Sequence, residues 1–462
     1  MTKGLAALAG ALLWIAVAEP AWALPGVGGP ARRVWFIGAA WLAFAAGALL
    51  VCRLPVRYAV VLIVAGGAIL PLAAAATPPR SSDDLFRYEW DGRVQASGID
   101  PYRYAPAATE LTGLRDSWLW PERSNWCVTE RDAATAPEPL AHGCTLINRP
   151  TVHTIYPPGA QAYFFVVHWL FPPGTRPWQL AAALLAMATT AVLLWGLPVL
   201  GADQRTAVWW AWCPAVAYEA GSNAHVDVLA ALLTGLALVY LARARTRTGS
   251  VLLGLAIATK LMPALVVPAV LRRRPILVLT ACATTVVAVY LPHLLAVGTS
   301  VIGYLPGYLT EEGYATGTRF GLLTWLLPDA WATAVAVAAL AAAAYVAATR
   351  ADPDRPWPAA ALTTGTALLV SAPTYPWYAV LLVLLVGLGA RPEWLAVAAA
   401  GYVPQHAWHL HLSGSTAQRI GYGLALAAVV LGWLARRHIG REEVVESLQQ
   451  SLYRSAGHTV DR

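Results

Sequence analysis

The sequence predicts an all-α polytopic membrane protein with about twelve transmembrane helices, re-entrant segments and one large extracytoplasmic loop. Three observations predict it. Of 462 residues, 58% are hydrophobic and only 12% are charged, whereas soluble domains carry about 25% charged residues. Apolar runs close to the roughly 20 residues that a helix needs to cross a bilayer recur along the chain. Basic residues gather at the ends of those runs, at 53–57, 243–247, 272–274, 350–355 and 436–438, where cytoplasmic flanks are expected. Residues 1–438 therefore read as one membrane domain and 439–462 as a short cytoplasmic tail.

In order, apolar stretches at 4–22, 34–52 and 58–76 open the chain. Lys3, an apolar run and Ala21-Trp22-Ala23 fit either a signal peptide cleaved near residue 23 or a first span that stays. Both readings leave the polar loop 77–154 outside. The stretch 160–171 is short and reads as interfacial or re-entrant. Spans follow at 179–199, 206–220 and 226–242. The segment 250–271 lies between two basic clusters and holds Lys260, Pro263 and Pro268. It reads as a re-entrant pair of half-helices broken near Pro263, an arrangement tolerated only where protein or a cavity surrounds the freed backbone. Further spans at 275–297, 331–349, 358–372, 377–390, 393–408 and 417–435 return the chain to the cytoplasm. This alternation collects Asp83, Asp84, His153, Tyr156, His225, Asp227, Arg319, Tyr375, Trp377 and His406 on one side of the membrane.

The net charge of +7 is scattered over span ends rather than gathered on one face, which argues against nucleic acid as a partner. Of the five cysteines, Cys52, Cys213 and Cys282 fall in apolar runs as core thiols. Cys127 and Cys144 fall in the outer loop, where a disulfide between them is expected.

The chemistry is expected in residues 81–106, SSDDLFRYEWDGRVQASGIDPYRYAP. Asp83, Asp84, Arg87, Glu89, Asp91 and Arg93 follow an apolar run directly, and Tyr88, Trp90, Tyr102 and Tyr104 are interleaved with them. A solvated linker does not need such rings. The blander reading of Asp83 is a cap on the helix that follows. That of Asp91 and Arg93 is an internal salt bridge, and that of Tyr102 and Tyr104 is interfacial packing. His225 and Asp227 start an apolar helix and contact the site or pin two helix ends through a His–Asp bond. Lys260 reaches a phosphate or, as the topology favours, snorkels to the cytoplasmic surface. Arg319 is the better phosphate candidate. His406, His409 and His411 fit a wet interface as well as a metal cluster.

In order, this block, Thr154-Ile155-Tyr156-Pro157-Pro158 with Gln161, Glu219 to Asp227 (EAGSNAHVD), Lys260-Leu-Met-Pro263 and Pro373 to Tyr378 (PTYPWY) resemble the motifs of bacterial polyprenol-phosphate-sugar-dependent, mannosyltransferase-like membrane enzymes of the C-type glycosyltransferase fold. The chain departs from that pattern at residues 125–148, an apparent insertion before TIYPP. The resemblance implies transfer of a sugar, first of all mannose, from a polyprenyl-phosphate carrier to a hydroxyl of a glycan, glycolipid or protein on the outer face of the cell membrane, with inversion. It aligns Asp84 with the general base, Asp83 being second. Such a transfer needs a base for the acceptor hydroxyl, carboxylates near the cationic sugar of the transition state and cations at the departing phosphate. Arg87, Tyr88, Asp91, Arg93, Tyr102, His153, Tyr156, Gln161, His225, Asp227, Lys260, Arg319, Tyr375, Trp377 and Tyr378 are the expected substrate-binding residues. No cofactor is required by the pattern, and a divalent cation (Mg or Mn) held by Asp and phosphate oxygens is compatible with it. The alternatives are a transporter or flippase of lipid-linked saccharides, or a ligase moving whole glycans from a lipid diphosphate.

Overall fold

The structure, a computed structural model, describes residues 30–79, 81–121, 138–140 and 143–457. The expected first span at 4–22, the signal-peptide alternative and Cys127 lie outside these residues; Cys144 is disulfide-bonded.

The described chain is mostly helical, with one small antiparallel hairpin, Glu138–Leu140 with Gly143–Thr145. Among the described residues, six helical segments are long and apolar enough to cross a membrane: Val34–Val51, Val56–Ala75, Thr175–Val199, Pro275–Glu311, Asp329–Arg350 and Gly414–His438. Asp227–Ala242 and Pro376–Gly387 are shorter apolar helices. Val380–Gly387 is apolar all round and buried at every residue, so it forms the centre of the bundle rather than one of its faces.

Several departures from regular helices follow from sequence. The stretch 206–220, read as a span, is broken: a short helix Val208–Ala211 stops before Pro214, and Ala217–Ser222 is a π-helix. Gly221 lets this turn lie against the helix Val56–Ala75, because a Cβ there would collide with the Pro71 carbonyl. The stretch 393–408 likewise divides into short pieces around Gly401 and Pro404.

The break expected near Pro263 falls at Lys260. The helix Thr246–Thr259 ends there, Lys260 is extended (φ −151°, ψ 144°), and a 3₁₀ segment Met262–Val270 follows. Pro263 has no amide hydrogen, and its ring would clash with the carbonyl four residues back, at Thr259, so the helix must end before it. Pro157 and Pro158 open the helix Pro158–Leu170, Pro158 at its first position. A Cβ on Gly159 would lie 2.7 Å from the Ala258 carbonyl oxygen, so the TIYPP segment and the Lys260 break meet at close range.

Candidate active site

The polar block after the helix Val56–Ala75 forms the helix Asp84–Ala96. Asp83 occupies its N-cap position but makes no side-chain cap bond; the Ser82 hydroxyl accepts from the Asp84 amide instead (3.3 Å). Asn148 Nδ2 donates to Asp83 Oδ1 and to Asp84 Oδ1, each at 2.8 Å.

Asp83 and Asp84 lie on the wall of a cavity of about 840 Å³. Polar residues cluster on part of that wall: Ser81, Ser82, Arg87, Asn148, Arg149, His153, Lys260, Glu311, Tyr375 and Tyr378. Apolar lining comes from Leu261 and Met262 after the break, Leu305 and Leu309, Val337 and Leu340 of the helix Asp329–Arg350, and Leu368 and Val370 of the helix Trp357–Ser371.

Behind Asp84 stands a fully buried histidine. His225 Nδ1 is 2.9 Å from Glu219 Oε2, and its Nε2 is 2.9 Å from Ser82 Oγ and 3.6 Å from Asp84 Oδ2. Glu219, on the π-helix, also accepts from Tyr402 Oη (2.7 Å) and Asn223 Nδ2 (2.9 Å), which compensates the burial of its charge. A Glu219 acceptor at Nδ1 leaves Nε2 to face Ser82 and Asp84. Trp377 stacks on the His225 ring at 4.1 Å, and Tyr375 stacks on Trp377 at 4.7 Å.

The expected His–Asp bond is absent among the described residues: His225 pairs with Glu219, whereas Asp227 accepts from Lys260 Nζ at 3.0 Å. Lys260 does not snorkel to the cytoplasmic surface. The chain break turns it into the cavity, where its ammonium lies 5.6 Å from the rings of both Tyr156 and Tyr378.

Asp83, Asp84, Arg87, His153, Tyr156, Lys260, Tyr375, Trp377 and Tyr378 all line the cavity. His225 and Asp227 sit one residue behind it, through Ser82 and Lys260. The remaining expected residues lie elsewhere. Asp91 is buried and accepts from Arg87 Nε (3.1 Å), Thr154 Oγ1 (2.6 Å) and Gln161 Nε2 (2.9 Å). Arg93 pairs with Glu89 (3.2 Å) and Asp116 (2.6 Å) rather than with Asp91. Tyr102 donates to the Tyr156 carbonyl (2.6 Å), Tyr88 stacks on Phe164 (4.3 Å), and Arg319 is buried against Glu312. These groups hold the walls in place and do not face the cavity.

Sequence reasoning passed over Asn148, Arg149, Tyr308 and Glu311, which all line the cavity. Arg149 Nη2 and Nε reach Glu311 at 2.7 and 3.3 Å, and Tyr308 Oη meets Tyr378 Oη at 2.6 Å. Burial works against the Arg149 charge, but hydrogen bonding to Glu311 and Tyr375 outweighs it and raises the pKa. Asn148-Arg149 just ahead of TIYPP was the available signal.

Among the described residues, no group of three or more His, Cys, Asp or Glu side chains could hold a metal ion. The Asn148 amide nitrogen donates to Oδ1 of both Asp83 and Asp84.

Residues 154–374 match the model of Glycosyltransferase family 87. No curated protein and no solved structure matches the chain. The matched region covers TIYPP, the Glu219–His225 pair, Lys260 and Glu311, and ends one residue before Tyr375; with the apolar helices it supports a membrane glycosyltransferase.

Proposed function

We propose that this protein transfers a sugar from a polyprenyl phosphate to an acceptor hydroxyl on the outer face of the cell membrane, as a C-type glycosyltransferase of about twelve crossings. Mannose is the first candidate sugar, on the resemblance set out above. The observation that carries the reading is the position of Asp84. It lies on a cavity whose wall is acidic and aromatic in one part and apolar in another, so a charged headgroup and a prenyl chain could share that space.

The roles follow from geometry. Asp84 accepts the proton of the acceptor hydroxyl as that oxygen attacks the anomeric carbon, and the bond to the carrier phosphate breaks on the opposite face, with inversion. Asn148 holds the carboxylate by a hydrogen bond to Oδ1, and Oδ2 faces His225. Asp83 adds negative charge beside the cationic sugar of the transition state. Lys260 and Arg149 are cavity cations for the departing phosphate, which leaves with its bonding electron pair. Tyr375, stacked by one face on Trp377, turns its other face to a sugar, and Trp377, held between Tyr375 and His225, backs it.

The test is incubation of the purified protein with a panel of polyprenyl-phosphate sugars and hydroxyl acceptors, with mass analysis of products. Transfer is expected with at least one donor of the panel, the mannosyl donor first, and Asp84→Asn should lower it by about 10²–10⁴-fold. Lipid movement across vesicles without transfer would favour the flippase instead.

A further inference from the structure

The cavity has three cations on its wall, and they differ in what it takes to free them. Arg87 is fully used: Nε binds Asp91, Nη1 the Arg149 carbonyl (3.3 Å) and Nη2 the Val152 carbonyl (3.1 Å). Lys260 is tied to Asp227 in a pair whose side chains are 15% and 5% exposed. Taking the partner from such a pair leaves an uncompensated buried charge, which is strongly destabilising. The Arg149–Glu311 pair is 37% and 44% exposed. An exposed pair contributes little to stability, and its carboxylate can turn to water at small cost.

The geometry of that pair is also informative. Arg149 grips Glu311 with two nitrogens, Nη2 on Oε1 and Nε on Oε2. This is the two-point fork that suits a phosphate as well as a carboxylate. Arg149 itself is fixed from below, since its backbone carbonyl is bound by Arg87. Glu311 is the last residue of the short helix Leu305–Glu311 and is otherwise held by Tyr304 Oη at 3.2 Å. A carboxylate at a helix C-terminus is electrostatically disfavoured.

We propose that Arg149 takes the phosphate of the lipid-linked donor, and that Glu311 is an exchangeable carboxylate holding that place until the phosphate arrives. This rests on the donor class proposed above. It makes Arg149 the residue that distinguishes a phosphorylated lipid from a neutral one, and Glu311 a competitor that weakens donor binding and eases release of the anionic product.

The test measures binding of three probes to the full-length protein in nanodiscs: a C55 polyprenyl phosphate, the corresponding C55 polyprenol and inorganic phosphate. The wild type should prefer the lipid phosphate over the alcohol by about tenfold or more. Arg149→Gln should remove most of that preference while leaving alcohol binding within about twofold, which also reports an intact cavity. Glu311→Gln should tighten the lipid phosphate by about threefold or more and leave the alcohol unchanged, a gain that a structural role for Glu311 would not give. Arg149→Gln with an undiminished preference, or Glu311→Gln with weaker phosphate binding, would overturn the proposal. Displacement of the lipid by millimolar inorganic phosphate would overturn its assignment to a lipid ligand. A wild type that does not tell the lipid phosphate from the alcohol would instead refute the donor class itself.

Discussion

The start of the helix Asp84–Ala96 and its middle carry charge at similar density, and the two regions are used differently. At the start, Asp83 and Asp84 stand on the cavity wall with one neutral amide between them. One to two turns later, Glu89, Asp91 and Arg93 are each paired and do not line the cavity. Glu89 also takes His168 Nδ1 (2.8 Å) and Trp178 Nε1 (3.2 Å), tying the helix to two neighbours. The difference lies in access. A carboxylate buried among donors away from the cavity is scaffold, because no substrate reaches it. A carboxylate on the cavity wall can meet an acceptor hydroxyl and take its proton.

The contrast predicts opposite phenotypes from changes seven residues apart. Asp84→Asn should remove transfer by about 10²–10⁴-fold while leaving the melting temperature near that of the wild type, since an amide can keep hydrogen bonds to Asn148 and the Tyr156 hydroxyl at the same place and only a 3.6 Å approach to His225 is otherwise altered. Asp91→Ala should do the reverse. It strands the Arg87 guanidinium, whose side chain is 4% exposed, and frees Thr154 and Gln161 of their shared acceptor. Loss of a buried partner costs about 3–5 kcal/mol, so thermal unfolding in detergent should shift markedly downward, with activity per folded molecule falling less. If Asp91→Ala melted like the wild type and lost transfer, Asp91 would belong to the chemistry and the division drawn here would be wrong.

Gly92, within the second set, gives a smaller test of the same wall. A Cβ at this position would sit 2.6 Å from the Phe164 carbonyl oxygen and 2.8 Å from the His168 Cβ. The helix Asp84–Ala96 therefore packs on Pro158–Leu170 at a distance only glycine allows. Gly92→Ala should destabilise by about 1–3 kcal/mol through overpacking, read as a melting shift smaller than that of Asp91→Ala. It should also displace the TIYPP segment, so the donor KM is expected to rise more than kcat falls.

How much of this was legible in the sequence depends on the range of the interaction. The helical class, six of the twelve expected span positions and a broken segment around Lys260 follow from apolar runs and prolines, which act locally. The salt bridge was expected between Asp91 and Arg93; the pairs that form, Arg87 with Asp91 and Glu89 with Arg93, are opposite charges four apart on one helix, a spacing the reading did not use. By contrast, Asn148 meets Asp84 across 64 positions, and Arg149 meets Glu311 across 162. No periodicity announces such contacts. Lys260 was misdirected because its span was counted against a cytoplasmic cluster, when the local consequence of Pro263 was to end the helix and turn the side chain inward. Arg319 looked free because Glu312, seven residues before it, could be placed beside it only by the turn at Gly313 and Gly317 (φ 74° and 81°).

The smallest expected effect concerns metal. Two adjacent carboxylates on a cavity wall invite a divalent cation, and a phosphate oxygen could complete its shell. The structure puts a donor where that cation would bind: the Asn148 amide nitrogen is 2.8 Å from one oxygen of each aspartate. An ion shared by the two would have to displace that amide or approach it from its positive side. Transfer measured in excess chelator should therefore stay within about twofold of the untreated rate, the scale of a perturbation worth well under 1.4 kcal/mol. The discriminating variant is Asn148→Asp, which replaces the donor by a third carboxylate and builds the acidic cluster that a divalent ion favours. Its activity should be low, and adding magnesium or manganese should restore part of it. A wild type inactivated by chelation and rescued by the same ions would show that Asn148 yields its place to a cation, and the two aspartates would then have to be read as ligands rather than as a base and its neighbour.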